Sequence, residues 1–179
     1  MAAEPWHRAE ISGPTKASVI TKPEVVLALI KRAKRPILVV GHEAVETDLG
    51  RKKPIDYAIR ISQGANIPVV ATAQTINEFI KRNFKRAAWM SAMDIGNRLS
   101  DPEWGVLGDG APHDLALFLG LPYHMEWAIL SGLKHFAPHL KTISLDRFYQ
   151  PHSNWSFSNI SSNDWCKNLE IVARRVGGK

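Results

Sequence analysis

Short apolar runs that end abruptly at a small or polar residue constrain this chain more than any other feature. The clearest is Pro36-Ile37-Leu38-Val39-Val40-Gly41, four apolar residues in succession that break at a glycine. Such a run shows no in-out alternation, which suits a strand buried on both faces in a parallel sheet covered by helices. The pattern recurs at Ile67 to Ala71 before Thr72, at Leu115 to Leu119 before Gly120, and at Thr142 to Leu145 before Asp146. Helix-length segments separate the four. They predict an α/β fold, an open and mainly parallel sheet in three layers, whose strand ends share one crevice.

The segments between them read as helices with recognisable ends. Thr21-Lys22-Pro23-Glu24 offers a hydroxyl cap, a proline in the first turn and an acid at the positive helix end. Val25, Val26, Leu29, Ile30 and Ala33 then form an apolar face. Further helices are expected over residues 55–64, 75–84, 89–99 and 163–176, and one after Pro122 that carries Met125, Trp127, Ile129, Leu130 and Leu133. Residues 1–20 are expected as an extended arm, and 21–179 as a single domain. Residues 147–160, aromatic and polar, predict irregular chain.

Composition narrows the function. With 179 residues and one cysteine, Cys166, no internal disulfide forms. Iron–sulfur clusters usually take four thiolates, so a chain of this kind leaves cluster chemistry to a partner. No apolar run approaches the roughly 20 residues of a membrane helix. The first 20 residues lack a signal-peptide core, so the expected location is cytoplasmic. The net charge is +6, with basic groups at Lys31, Arg32, Lys34, Arg35 and at Lys81, Arg82, Lys85, Arg86. Basic residues at helix ends complement the macrodipole, and no nucleic-acid-binding signature accompanies them, so nucleic acid is not an expected partner.

Several motifs have both a chemical and a structural reading. Gly41-His42-Glu43-Ala44 reads as a phosphate-binding turn or as a plain strand-to-helix turn, and Glu43 opposes the first. Asp146-Arg147 reads as a ribose and phosphate contact or as a salt bridge at the sheet edge. Gly108-Asp109-Gly110 resembles the start of a thiamine-diphosphate signature, but no asparagine completes it before Asn154. The seven histidines lack zinc spacing. Cys166, on the last helix, reads as a packed small residue. Trp6, Trp104 and Trp155 read as interface anchors or as core.

Taken in order, Lys34 to Gly41, Ala65-Asn66-Ile67-Pro68, Asp101-Pro102-Glu103-Trp104 with Asp109-Gly110, Asp114 to Gly120, and Ser156-Phe157-Ser158-Asn159 resemble one family. It is the ε subunit of the archaeal acetyl-CoA decarbonylase/synthase complex, which carries a carbon monoxide dehydrogenase. The resemblance runs from about Lys16 to the C-terminus. It implies a Rossmann-like fold, similar to the central domain of thiamine-diphosphate enzymes and of sirtuins. It also implies a partner, the large α subunit that holds the nickel–iron–sulfur chemistry, in an α2ε2 assembly. The implied roles are stabilising that subunit and assisting electron transfer to FAD, without catalysis by this chain alone. By the general rule for strand ends, the flavin or docking crevice would be lined by Gly41, His42, Glu43, Ala44, Thr72, Gly120, Leu121, Asp146 and Arg147. The competing reading is a stand-alone flavin- or nicotinamide-binding redox module. Self-dimerisation is compatible with both.

Overall fold

The computed structural model describes residues 15–50, 52–105 and 111–178. Seven strands form one sheet in the order β1-β7-β6-β5-β2-β3-β4, every pair parallel. They are β1 (Ser18–Ile20), β2 (Pro36–Val40), β3 (Val69–Thr72), β4 (Ala87–Met90), β5 (Leu115–Leu119), β6 (Lys141–Ser144) and β7 (Trp155–Phe157). The helices are α1 (Glu24–Arg32), α2 (Glu43–Glu46), α3 (Pro54–Ala65), α4 (Ile76–Lys81), α5 (Ala92–Ser100), α6 (Tyr123–Phe136) and α7 (Ser162–Arg175). Apart from the added edge strand β1, the order is that of a doubly wound Rossmann-like sheet.

Successive strand residues point to opposite faces, and the core divides accordingly. Leu38, Val40, Leu115, Leu117 and Leu119 pack with α1, α3 and α7. Ile37, Val39, Ala116 and Phe118 pack with α5 and α6. Ile37 to Val40 of β2 and all of β5 are buried on both faces, the condition that unalternating runs signal. Asp114, just before β5, ties the two central strands at their entry. Its carboxylate accepts from the amides of Lys34 at 2.7 Å and Arg35 at 2.8 Å.

Several expectations are corrected. The helix expected over 89–99 begins only at Ala92, because Ser91 caps it by accepting from the Asp94 amide at 3.1 Å. Trp89 and Met90 belong instead to β4, paired along β3. The expected irregular stretch 147–160 contains β7, and its Ser156 hydroxyl accepts from the Gln150 amide at 3.0 Å. The end of the N-terminal arm is β1, which pairs with β7 in parallel. Thr21 does not cap α1: the helix starts at Glu24, with Pro23 at the N-cap position and no side-chain cap hydrogen bond. Trp6 and Gly108-Asp109-Gly110 lie outside the described residues.

Candidate functional site: a carboxyl-lined cleft at the switch point

Strand order reverses between β2 and β5, and the chain leaves both strands through glycine. A Cβ on Gly41 would lie 2.2 Å from the Gly120 carbonyl oxygen. A Cβ on Gly120 would lie 2.4 Å from the Ala44 nitrogen, and Gly120 has φ +74°. Only glycine tolerates that conformation without strain. The two turns therefore close on each other. Gly41 N donates to Leu119 O at 2.9 Å, and Glu43 N donates to Gly120 O at 2.9 Å. The carboxylate of Asp146 completes the knot by accepting from Gly120 N at 3.0 and 2.8 Å.

Beside this knot opens a cleft of about 170 Å³, lined among others by Glu43, Leu121, Tyr123, Glu126, Asp146, Arg147 and Gln150. The expected strand-end residues thus separate into three groups. Gly41, Ala44 and Gly120 build the knot, and His42 stands at the start of α2. Glu43, Leu121, Asp146 and Arg147 face the cleft. Thr72 is not among the lining residues; its hydroxyl bonds that of Thr75 at 2.9 Å.

Glu126 and Gln150 were not visible as site residues in the sequence. Glu126 lies in the first turn of α6, where an acid reads simply as a partner for the helix dipole. It is fully buried. Gln150, 1% exposed, donates through Nε2 to Tyr123 O at 3.0 Å and to Glu126 Oε2 at 3.4 Å. Gln150 Oε1 receives no hydrogen bond, whereas Glu126 has the buried Ser144 hydroxyl and Asp146 beside it.

Burial pushes the carboxyl of Glu126 well above the ordinary carboxylate range, and Asp146 beside it adds to the effect. Asp146 is itself pushed up to about 7, first by burial, against the Gly120 amide that favours its ionised form. Two carboxyls this close share a proton rather than both ionise. Glu43 at the mouth is raised by desolvation first, with His42 opposing and Glu46 adding. Arg147 does not neutralise them. Its Nη1 donates to Ser162 at 3.0 Å and its guanidinium stacks 4.4 Å over Phe148. Glu43, Glu126 and Asp146 form no ion pair among the described residues.

This lining is a poor match to a flavin pyrophosphate. The Glu43 amide, the one that would meet a phosphate, is committed to Gly120. Carboxyl groups face the space that a phosphate would enter, and α2 has only four residues. The volume also falls below the roughly 300–1,000 Å³ of common cofactor sites.

The fold and its switch-point cleft define a Rossmann-like α/β protein with an acidic, hydrogen-bond-accepting crevice. Residues 1–173 match the sequence profile of the family described as CO dehydrogenase beta subunit/acetyl-CoA synthase epsilon subunit, and the chain belongs to that family. It is 35% identical over 167 residues to the acetyl-CoA decarbonylase/synthase complex subunit epsilon of Methanothermobacter thermautotrophicus, covering 93% of this chain and 92% of that one. The subunit epsilon of Methanothrix soehngenii is 32% identical over 161 residues, covering 89% and 82%. Subunit epsilon 1 of Archaeoglobus fulgidus is 35% identical over 163 residues, covering 90% and 84%.

Proposed function

We propose that this chain is a non-catalytic accessory subunit of the CO dehydrogenase part of an acetyl-CoA decarbonylase/synthase complex. Its role in this reading is to stabilise the large α subunit in an α2ε2 assembly. The observation that carries the proposal is the nearly full-length match to proteins named as subunit epsilon of that complex. Its single cysteine supports the reading, because one thiol cannot supply a cluster's usual ligand set.

The open sheet edge supports it too, as a place for a partner to dock. Among the described residues strand β4 pairs with β3 alone, so its other side is unpaired there. Trp89 on that strand is 64% exposed; Ile80 on α4 and Met93 on α5 are 62% and 55% exposed. Exposed edges and large apolar side chains are liabilities unless a partner covers them. Trp is also the residue most often found at interface hot spots.

The experiment is the thermal inactivation of the large subunit with and without this chain. The expected outcome is a longer half-life when the chain is present. An unchanged half-life would remove the stabilising role. Electron transfer to FAD, which the family resemblance brings with it, draws no support from the cleft lining. Titrating the isolated chain with FAD is expected to give no saturable binding, and tight binding would restore the flavin reading.

A further inference from the structure

We infer that the cleft beside the Gly41–Gly120 knot binds a small protonated amine or guanidinium group, held by Glu126, Asp146 and Gln150 with Glu43 at its mouth. Four observations converge on that chemistry. First, the unused polar atom of Gln150 is an acceptor, while Glu126 already has the buried Ser144 hydroxyl and Asp146 as hydrogen-bonding neighbours. Gln150 Nε2 is fixed by its two acceptors, which leaves Gln150 Oε1 as the free end of a side chain that is almost fully buried. Buried acceptors without donors are rare in folded proteins and cost free energy until a donor arrives.

Second, the carboxyls have no cation. Glu43, Glu126 and Asp146 form no ion pair among the described residues, and Arg147 is turned toward Ser162 and Phe148. Third, the volume of about 170 Å³ admits only a few heavy atoms. A cationic head of that size supplies several N–H donors at once, which a neutral alcohol does not. Fourth, the space is unsuited to a bare divalent ion, since no group of three metal-ligating side chains occurs among the described residues.

Binding has a definite proton balance. In the empty cleft, Glu126 and Asp146 share a proton; a bound cation lets both ionise, and the proton passes to solvent. The titratable groups facing the pair are Glu43 from α2, Tyr123 from α6 with Tyr149 behind it, and Arg147 from the segment after β6. Tyr123 and Tyr149 keep their protons at neutral pH, because burial raises both. The pH dependence therefore belongs to the carboxyls.

The test is titration of the full chain with methylguanidinium and propylammonium chlorides at constant ionic strength, followed by amide NMR and calorimetry. Saturable shifts are expected at Leu121, Gln150 and their neighbours. Affinity should be at least about tenfold higher near pH 8 than near pH 5, with about one proton released per ligand near pH 8. Glu126→Gln keeps the shape of the side chain; it should weaken binding by at least about tenfold and abolish the proton release. Propanol and acetate at the same concentrations should not bind. The inference is overturned if the two cations give no saturable shift in the wild type, if acetate competes, or if affinity is equal at both pH values and in Glu126→Gln. A repeat with the large subunit present identifies the source of the group. Competition by the probes with assembly would make it a partner side chain, and unimpeded assembly a free small molecule.

Discussion

At Gly120 a single missing Cβ decides whether two turns can close on each other. Its φ of +74° and the 2.4 Å approach to Ala44 N leave no room for a side chain. Gly120→Ala is expected to cost about 2–4 kcal/mol, read as a lower midpoint in urea denaturation. Glu126 works in the opposite sense. Its folded pKa, like that of Asp146, lies above the unfolded value, so the folded chain holds more protons between about pH 4 and pH 7. Stability from this pair is therefore fully present at low pH and is lost as pH rises through the folded values. Glu126→Gln, which needs no proton to stay neutral, is expected to raise Tm near pH 8 by several degrees. It should also flatten the fall in Tm between about pH 5 and pH 8. A variant that is less stable than wild type at pH 8 would contradict the shared-proton description. Half-buried acids held below their ordinary values by basic partners, Glu78 and Glu170, act only at lower pH.

At the scale of elements, the two edges of the sheet are the least protected parts of the fold. β1 has three residues and shields the outer side of β7, with Tyr149 Oη donating to Ala17 O at 2.7 Å. Removing residues 1–20 is expected to expose the β7 edge and lower Tm, and a thermal melt of the truncated chain checks this. At the other edge, Trp89→Ala should leave the melt within about 0.5 kcal/mol of wild type, because the ring is largely in water. The same variant should weaken binding to the large subunit by at least about tenfold, if β4 is the docking edge. These edges are also where the sequence was hardest to read. The central strands announced themselves because burial on both faces forces an unalternating apolar run. An edge strand such as Ala87-Ala88-Trp89-Met90 has no such constraint, and its apolar residues merged with the helical pattern that follows. β7 is short, and its Ser156 hydroxyl is held by the loop just before it, through Gln150 N, a contact that no apolar period encodes. The cleft was half legible for the same reason. Gly41, Gly120 and Asp146 mark strand ends, whereas Glu126 and Gln150 reach the cleft only through the packing of α6 and of the loop after β6.

For the whole molecule, the architecture separates two tasks. The knot of Gly41, Gly120 and Asp146 closes the place where relatives of this fold often hold nucleotides. The apolar β4 edge lies on the far side of β3 from the strands β2 and β5 that bear the knot. A chain of this kind fits an accessory subunit whose stability and cleft answer to pH, and whose edge answers to a partner. The most direct measurement is the association of the purified chain with the large CO dehydrogenase subunit from the same source, read by light scattering and calorimetry. The expected result is a complex with equal numbers of the two chains and a Kd below about 1 μM. No association at about 100 μM would contradict the assignment as an accessory subunit.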